Sequence, residues 1–189
     1  MKTKQILLAA LTLLFVGVVN AQNFKVDVDK SELKWVGKKV TGQHNGKVKL
    51  ADGVLAINNN KITSGTFSID MKSITDDDLT DAGYNQKLVG HLKSDDFFGV
   101  EKFPTATLLL TESVAFENSS ADVKGKLTIK GITNPISFKV IKNGNTYTTS
   151  IAVDRSKYDV RYGSGSFFEN LGDKAISDIF TLDVVLVVE

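Results

Sequence analysis

The chain has 189 residues, two prolines, no cysteine, 24% charged and 42% hydrophobic residues, and a formal net charge of +1. That balance excludes a disordered, collagen-like or disulfide-stapled chain. It also leaves no bulk charge to draw nucleic acid or anionic lipid headgroups.

Residues 1–21 read as a secretory signal peptide. Lys2 and Lys4 precede an apolar run, Ile6 to Val19, that closes on Val19-Asn20-Ala21 with small residues at positions −3 and −1. The run is shorter than the roughly 20 residues a spanning helix needs, so no stable membrane span is expected after cleavage. Removing Lys2 and Lys4 leaves 21 basic side chains against 22 acidic ones, a net charge of −1. Gln22 stands where a lipoprotein would carry cysteine. The mature chain is therefore expected in the periplasm or outside the cell, stable without disulfides.

Residues 22–189 carry no linker-like or charge-block division and are read as one domain. Alternation dominates: Phe67, Ile69 and Met71 oppose Thr66, Ser68 and Asp70, and the same period of two recurs over Val123–Ile129, Ile136–Val140 and Tyr147–Val153. Asp52-Gly53, Asn58-Asn59-Asn60, Asn134-Pro135 and Asn143-Gly144 are placed as chain reversals. About eight strands result. One stretch reads as a helix, with Tyr84, Leu88 and Leu92 at i, i+4 and i+8, Asp81 as its cap and an end near Ser94. Asp95-Asp96-Phe97-Phe98 reads as a tight turn holding two rings together, and Phe103-Pro104 opens the next strand. The last strand, Phe180 to Val188, is apolar on both faces except at Asp183, so its outer side is expected to be covered. Eight antiparallel strands make a sandwich or a closed barrel, and closure removes exposed edges.

Enzyme signatures are missing: there is no nucleophile elbow, dinucleotide fingerprint, P-loop or thiol. Gly163-Ser164-Gly165-Ser166 reads as a flexible loop rather than a phosphate cradle. Only His44 and His91 are present; His91 with Asp95 or Asp96, joined by His44, is the zinc arrangement to weigh against a histidine favoured at a helix end. Asp76-Asp77-Asp78 followed by Asp81 lacks the spacing of a calcium loop and reads as a solvated tip. No metal or other cofactor is expected. The aromatic and aliphatic set either fills the core or lines a cavity for an apolar ligand, and composition does not separate the two.

At Lys87-Leu88-Val89-Gly90-His91-Leu92-Lys93-Ser94-Asp95-Asp96-Phe97-Phe98, followed by Glu101-Lys102-Phe103-Pro104-Thr105-Ala106-Thr107, the sequence resembles the YceI-like family. Trp35, Ser68–Ile74, Val123–Gly131, Asp154–Tyr158 and Asp173–Val188 extend the resemblance over nearly all of residues 22–189. It implies an all-β fold: an antiparallel eight-stranded lipocalin-like barrel with one short helix in a connecting segment. It also implies a secreted, non-enzymatic protein whose interior takes a polyisoprenoid such as a quinone tail or prenyl pyrophosphate, with fatty acids or their amides in some relatives. Two departures, Thr75-Asp76-Asp77-Asp78 and Lys87–Gly90, together with His44 in Gly42–Gly46, leave the headgroup open.

The expected lining is the alternating apolar set. It begins with Trp35, Phe67, Ile69 and Met71, continues with Leu88, Leu92, Phe97, Phe98, Phe103 and Leu108, and ends with Leu127, Ile129, Phe138, Ile151 and Val153. His44, His91 and Arg155 are the candidates to meet a polar headgroup near the mouth. A polyisoprenoid or other long-chain lipid is thus the expected partner, with pairing of two barrels through an exposed strand left open. The rival reading is a stress-linked interaction module with a packed barrel; a hydrolase or metal enzyme using His44 and His91 is the third.

Overall fold

The computed structural model describes residues 22–189, so the signal-peptide reading of residues 1–21 lies outside the described residues. The strands are β1 (Gln22–Lys25), β2 (Glu32–Lys39), β3 (Gly42–Asn58), β4 (Lys61–Asp70), β5 (Thr105–Ser113), β6 (Ser120–Ile129), β7 (Ile132–Asn143), β8 (Thr146–Asp154) and β9 (Ile176–Val187). One helix, α1 (Ala82–Lys93), stands between β4 and β5. Every pairing is antiparallel, and the order β3-β2-β9-β8-β7-β6-β5-β4 returns to β3, closing an eight-stranded barrel. Closure rests on the length of β3, whose first half pairs with β2 and whose second half pairs with β4. The additional strand β1 lies along that second half, Gln22 opposite Ile57 and Lys25 opposite Val54, and continues the wall beyond β2.

The period of two sets what faces inward. Phe67 and Ile69 on β4, Val123 and Leu127 on β6, and Ile151 and Val153 on β8 are all buried. Two expected reversals are instead strand interior. Asp52-Gly53 sits inside β3 beside a register shift between Leu50 and Asp52. There a Cβ on Gly53 would stand 2.9 Å from Val26 and 3.0 Å from Phe67, so glycine serves close packing rather than a turn. Asn134-Pro135 lies within β7, and the chain reverses at Lys130-Gly131, with both residues at positive φ.

Pro135 marks an opening. β7 and β8 keep only three ladder pairs, Ile141–Thr148 to Asn143–Thr146, whereas β6 and β7 pair along their whole length. Below those pairs the seam is held by Thr149 Oγ1 donating to the Lys139 carbonyl (2.7 Å) and Asn134 Nδ2 donating to the Lys157 carbonyl (2.9 Å). Proline sits where no N–H is asked for, which is how strand interiors tolerate it.

Asp81 caps α1 by accepting from the Tyr84 N–H at 2.9 Å. Leu92 is buried and Leu88 half-buried, but Tyr84 is 67% exposed, so the expected stripe faces the barrel only over its second half. The outer face of β9 is uncovered rather than covered: Ile179 and Val185 are exposed, and its apolar character is not a sign of a second layer. The segment expected to be a flexible loop is fixed, because Ser164 is fully buried, the Ile176 N–H donates to the Gly163 carbonyl, and Ser166 Oγ donates to Asp178. Among the described residues no helix is long and apolar enough to cross a membrane.

Candidate functional site

The barrel is not filled. Two stacked cavities of about 170 and 80 Å³ occupy its axis and share Ile69, Leu127, Val153 and Leu182 as common wall. Protein interiors normally reach crystal-like density with few voids larger than a water molecule, so this apolar space is a departure from a core packed for stability. The upper cavity lies under α1 and the turn after it, and the lower one lies among inward residues of β2 to β9.

The upper wall contains Trp35, Ile69, Met71, Leu88, Leu92, Phe97, Phe98, Leu127, Ile129 and Val153 of the expected set. Phe67, Leu108, Phe138 and Ile151 line the lower cavity. Phe103 lines neither; half-buried, it lies against Gly99 and Gly131 at the turns. Alternation also reached residues not singled out, namely Val48, Ala106, Phe180 and Leu182 above and Leu33, Leu55, Tyr147 and Leu186 below. The signal for most of these was in the sequence, since they fall on the inward parity of their strands; Leu55 is the exception, because the register shift between Leu50 and Asp52 switches the inward parity of β3. Burial alone pushes the Tyr147 hydroxyl above its ordinary value, as an apolar end of the cavity requires.

Two aromatic contacts fix the roof. Phe97 and Phe98 meet edge-on at 5.2 Å, and Phe98 meets Phe180 of β9 at 6.3 Å, tying the turn after α1 to the barrel wall.

The polar groups stand at the rim. His44, His91, Lys38, Lys39 and Ser177 border the upper cavity. His91 is wedged edge-on between Phe97 (5.7 Å) and Tyr162 (4.4 Å), and the zinc arrangement weighed for it with Asp95 or Asp96 and His44 does not form among the described residues. Arg155 also reaches the cavity wall, but it is not free to meet a headgroup. It is 2% exposed, and its Nε, Nη1 and Nη2 donate to the carbonyls of Ser177, Val160, Tyr162 and Ile176 at 2.9 to 3.0 Å. Its guanidinium also stacks over Phe97 and lies 3.5 Å from Asp178. Arg155, just past the end of β8, ties the β8–β9 connection to the first residues of β9.

The acidic tip is not simply solvated. Residues 75–77 run along the first half of β3, the Thr75 N–H donating to the Lys47 carbonyl and the Asp77 N–H to that of Asn45, both at 2.9 Å. Trp35 Nε1 donates to the Thr75 carbonyl at 3.0 Å. This brings Asp76 and Asp78 to His44, with ligand-capable atoms of all three within 4.8 Å of one another. Burial, and the Asp78 carboxyl beside it, push the Asp76 carboxyl up, against the pull of the Leu79 N–H. For Asp78, burial works in the same sense but is outweighed by the Asn45 N–H and His44, so its carboxyl is held low.

Gly46 makes this approach feasible. A Cβ there would lie 2.0 Å from the Thr75 carbonyl oxygen and 2.9 Å from the Asp76 Cα. Gly46→Ala is therefore expected to displace residues 75–78 and cost about 1–3 kcal/mol, read by urea denaturation together with a shift in Trp35 emission. Gly90→Ala, in α1 with nothing within 4 Å of its Cβ, is the matched control and should gain about 0.5–1 kcal/mol instead.

Comparisons with known proteins agree with this architecture. The profile of the YceI-like domain matches residues 24–188. A UPF0312 protein of Pseudomonas aeruginosa (strain LESB58) is 49% identical over 49 residues, 26% of this chain and 25% of that protein. One from Pseudomonas putida is 41% identical over 54 residues, 29% and 28% of the two chains, so each match spans about a quarter of the relative's length. Among solved structures, Burkholderia cenocepacia BcnA superposes with a TM-score of 0.67 at 26% identity, covering 87% of this chain and 99% of that one. A polyisoprenoid binding domain from Saccharophagus degradans shares the fold, with a TM-score of 0.59 at 15% identity over 88% and 97% of the chains. With its profile matched from residue 24 to residue 188 on a closed antiparallel barrel, the chain belongs to the YceI-like family.

Proposed function

We propose that the protein holds a polyisoprenoid, or a comparable long apolar chain, inside the barrel for transport or storage, without covalent chemistry. The observation that carries this reading is the pair of apolar, stacked cavities along the barrel axis. The polyisoprenoid-binding domain that shares the fold supports the same ligand class. A packed interaction module is the weaker reading, because it has no use for the void.

Burying each CH₂ contributes roughly 0.8 kcal/mol, so few polar contacts are needed for useful affinity. An engineered cavity of about 150 Å³ takes one benzene, so the two cavities together, about 250 Å³, have room for roughly ten carbons as they stand. A short prenyl chain fits first, and a longer tail would widen the β7–β8 seam or project at the rim. Lys38, Lys39, His44 and His91 border the upper cavity, and in this reading they meet a polar end. Residues 1–21 fit export, so we place the carrier in the periplasm or outside the cell.

Trp35 is the single tryptophan of the chain and lines the upper cavity, which gives a direct readout. Titration with a short-tail quinone is expected to quench Trp35 emission saturably and to raise the melting temperature. Linear, collisional quenching with no thermal gain from quinones, prenyl phosphates or fatty amides would sink the reading.

A further inference from the structure

Beside the barrel rim a buried carboxylate oxygen of Asp76 is left without a partner. Asp76 is 7% exposed; its Oδ1 accepts from the Leu79 N–H (2.9 Å) and from Asn85 Nδ2 (3.1 Å), while its Oδ2 is buried with no hydrogen-bond partner. Leaving such an atom unpaired is costly, and native structures rarely do so without a reason. Asp78 and His44 complete the surroundings. Asp78 Oδ1 accepts from the Asn45 N–H at 2.7 Å, and Asp78 Oδ2 lies 2.9 Å from His44 Nδ1. Two carboxylates and an imidazole thus converge on one point, their ligand atoms within 4.8 Å of one another.

We propose that His44, Asp76 and Asp78 form a divalent-cation site, filled by zinc, at the rim of the upper cavity. The imidazole among the donors favours a transition ion, of which zinc also accepts carboxylate oxygens, over magnesium and calcium, which take shells of oxygen. Three protein ligands leave a coordination position open to water or an exogenous group. The outer contacts that orient ligands are already present: the Leu79 N–H and Asn85 hold Asp76, and the Asn45 N–H holds Asp78. The backbone of residues 75–77 is held on β3 by the Thr75 and Asp77 N–H groups, which keeps Asp76 and Asp78 beside His44. The rival explanation is a proton shared between the two carboxyls, which needs no metal.

The site stands apart from the lipid reading, since zinc uptake and lipid uptake are measured separately. Chelator-treated protein is titrated with zinc chloride in a calorimeter, and with cobalt chloride in a visible spectrometer. The expected result is one zinc per chain and a cobalt d–d band, both weakened at least about tenfold in affinity in Asp76→Asn and His44→Ala. Asp77→Asn, outside the donor set, should take up zinc as the parent does. Asp76→Asn keeps the Oδ1 acceptor for Leu79, so it is expected to fold, and a melt checks this. Failure to take up stoichiometric zinc, or uptake unchanged in both Asp76→Asn and His44→Ala, overturns the proposal and leaves proton sharing as the account of the pair.

Discussion

Arg155→Met is expected to lose about 3–5 kcal/mol of folding stability, the largest loss foreseen for a single side chain here. Methionine keeps the length and the apolar stem but removes every donor. The carbonyls of Ser177, Val160, Tyr162 and Ile176 are then left without the Arg155 partner they now share. Each buried acceptor left without a partner costs about 1–3 kcal/mol, so the estimate does not need all four to fail. Arg155→Lys should recover little, because a point ammonium cannot replace a planar fork that serves four carbonyls at once. Equilibrium unfolding in urea measures both.

Asp178, 3.5 Å from this guanidinium, adds a pH dependence. Burial raises its carboxyl, but the Ser164 and Ser166 hydroxyls and Arg155 outweigh that and hold it below the ordinary 3.8. A carboxyl depressed in the folded state contributes stability above its unfolded pKa and loses it as pH falls through the folded value. Asp178→Asn should therefore lower stability at neutral pH and flatten the acid limb below about pH 4. An acid limb identical to the parent would show that the pair contributes nothing.

The second large effect is on binding. Ala106 faces the upper cavity from β5, opposite Ile69, and is buried. In a packed barrel Ala106→Phe would cost about 1–3 kcal/mol through overpacking. In this hollow one it should be neutral or gain up to about 1 kcal/mol, as cavity-filling changes do. The phenyl group takes space equal to roughly six ligand carbons, about 5 kcal/mol at ~0.8 kcal/mol per CH₂, so lipid affinity should fall by about 1,000-fold or more. Quinone titration of Trp35 and a thermal melt of the same variant separate the two outcomes.

Particular residues show how far the sequence could be read. Inward positions such as Phe67, Ile69, Leu127 and Val153 followed from alternation, because a strand with one buried face repeats every two residues. Asp81 and α1 followed from cap chemistry and helical spacing. Asp52-Gly53 and Asn134-Pro135 were misplaced as turns for a common reason: glycine and proline also mark close packing and unpaired edges within strands. Arg155 could not be assigned, since nothing local distinguishes an arginine at a rim from one enclosed by carbonyls 5 to 22 residues away. His44 and Asp78 drew separate readings, and only the path of residues 75–77 along β3, permitted by Gly46, brings together side chains 34 positions apart.

Whether the barrel is hollow in order to carry an apolar chain is decided by native mass spectrometry of the purified protein. A stoichiometric adduct is expected, which organic extraction identifies as a prenyl or other long-chain species and which Ala106→Phe no longer retains. A bare protein mass in both parent and variant, with no gain in melting temperature from added quinones, prenyl phosphates or fatty amides, would contradict a carrier role.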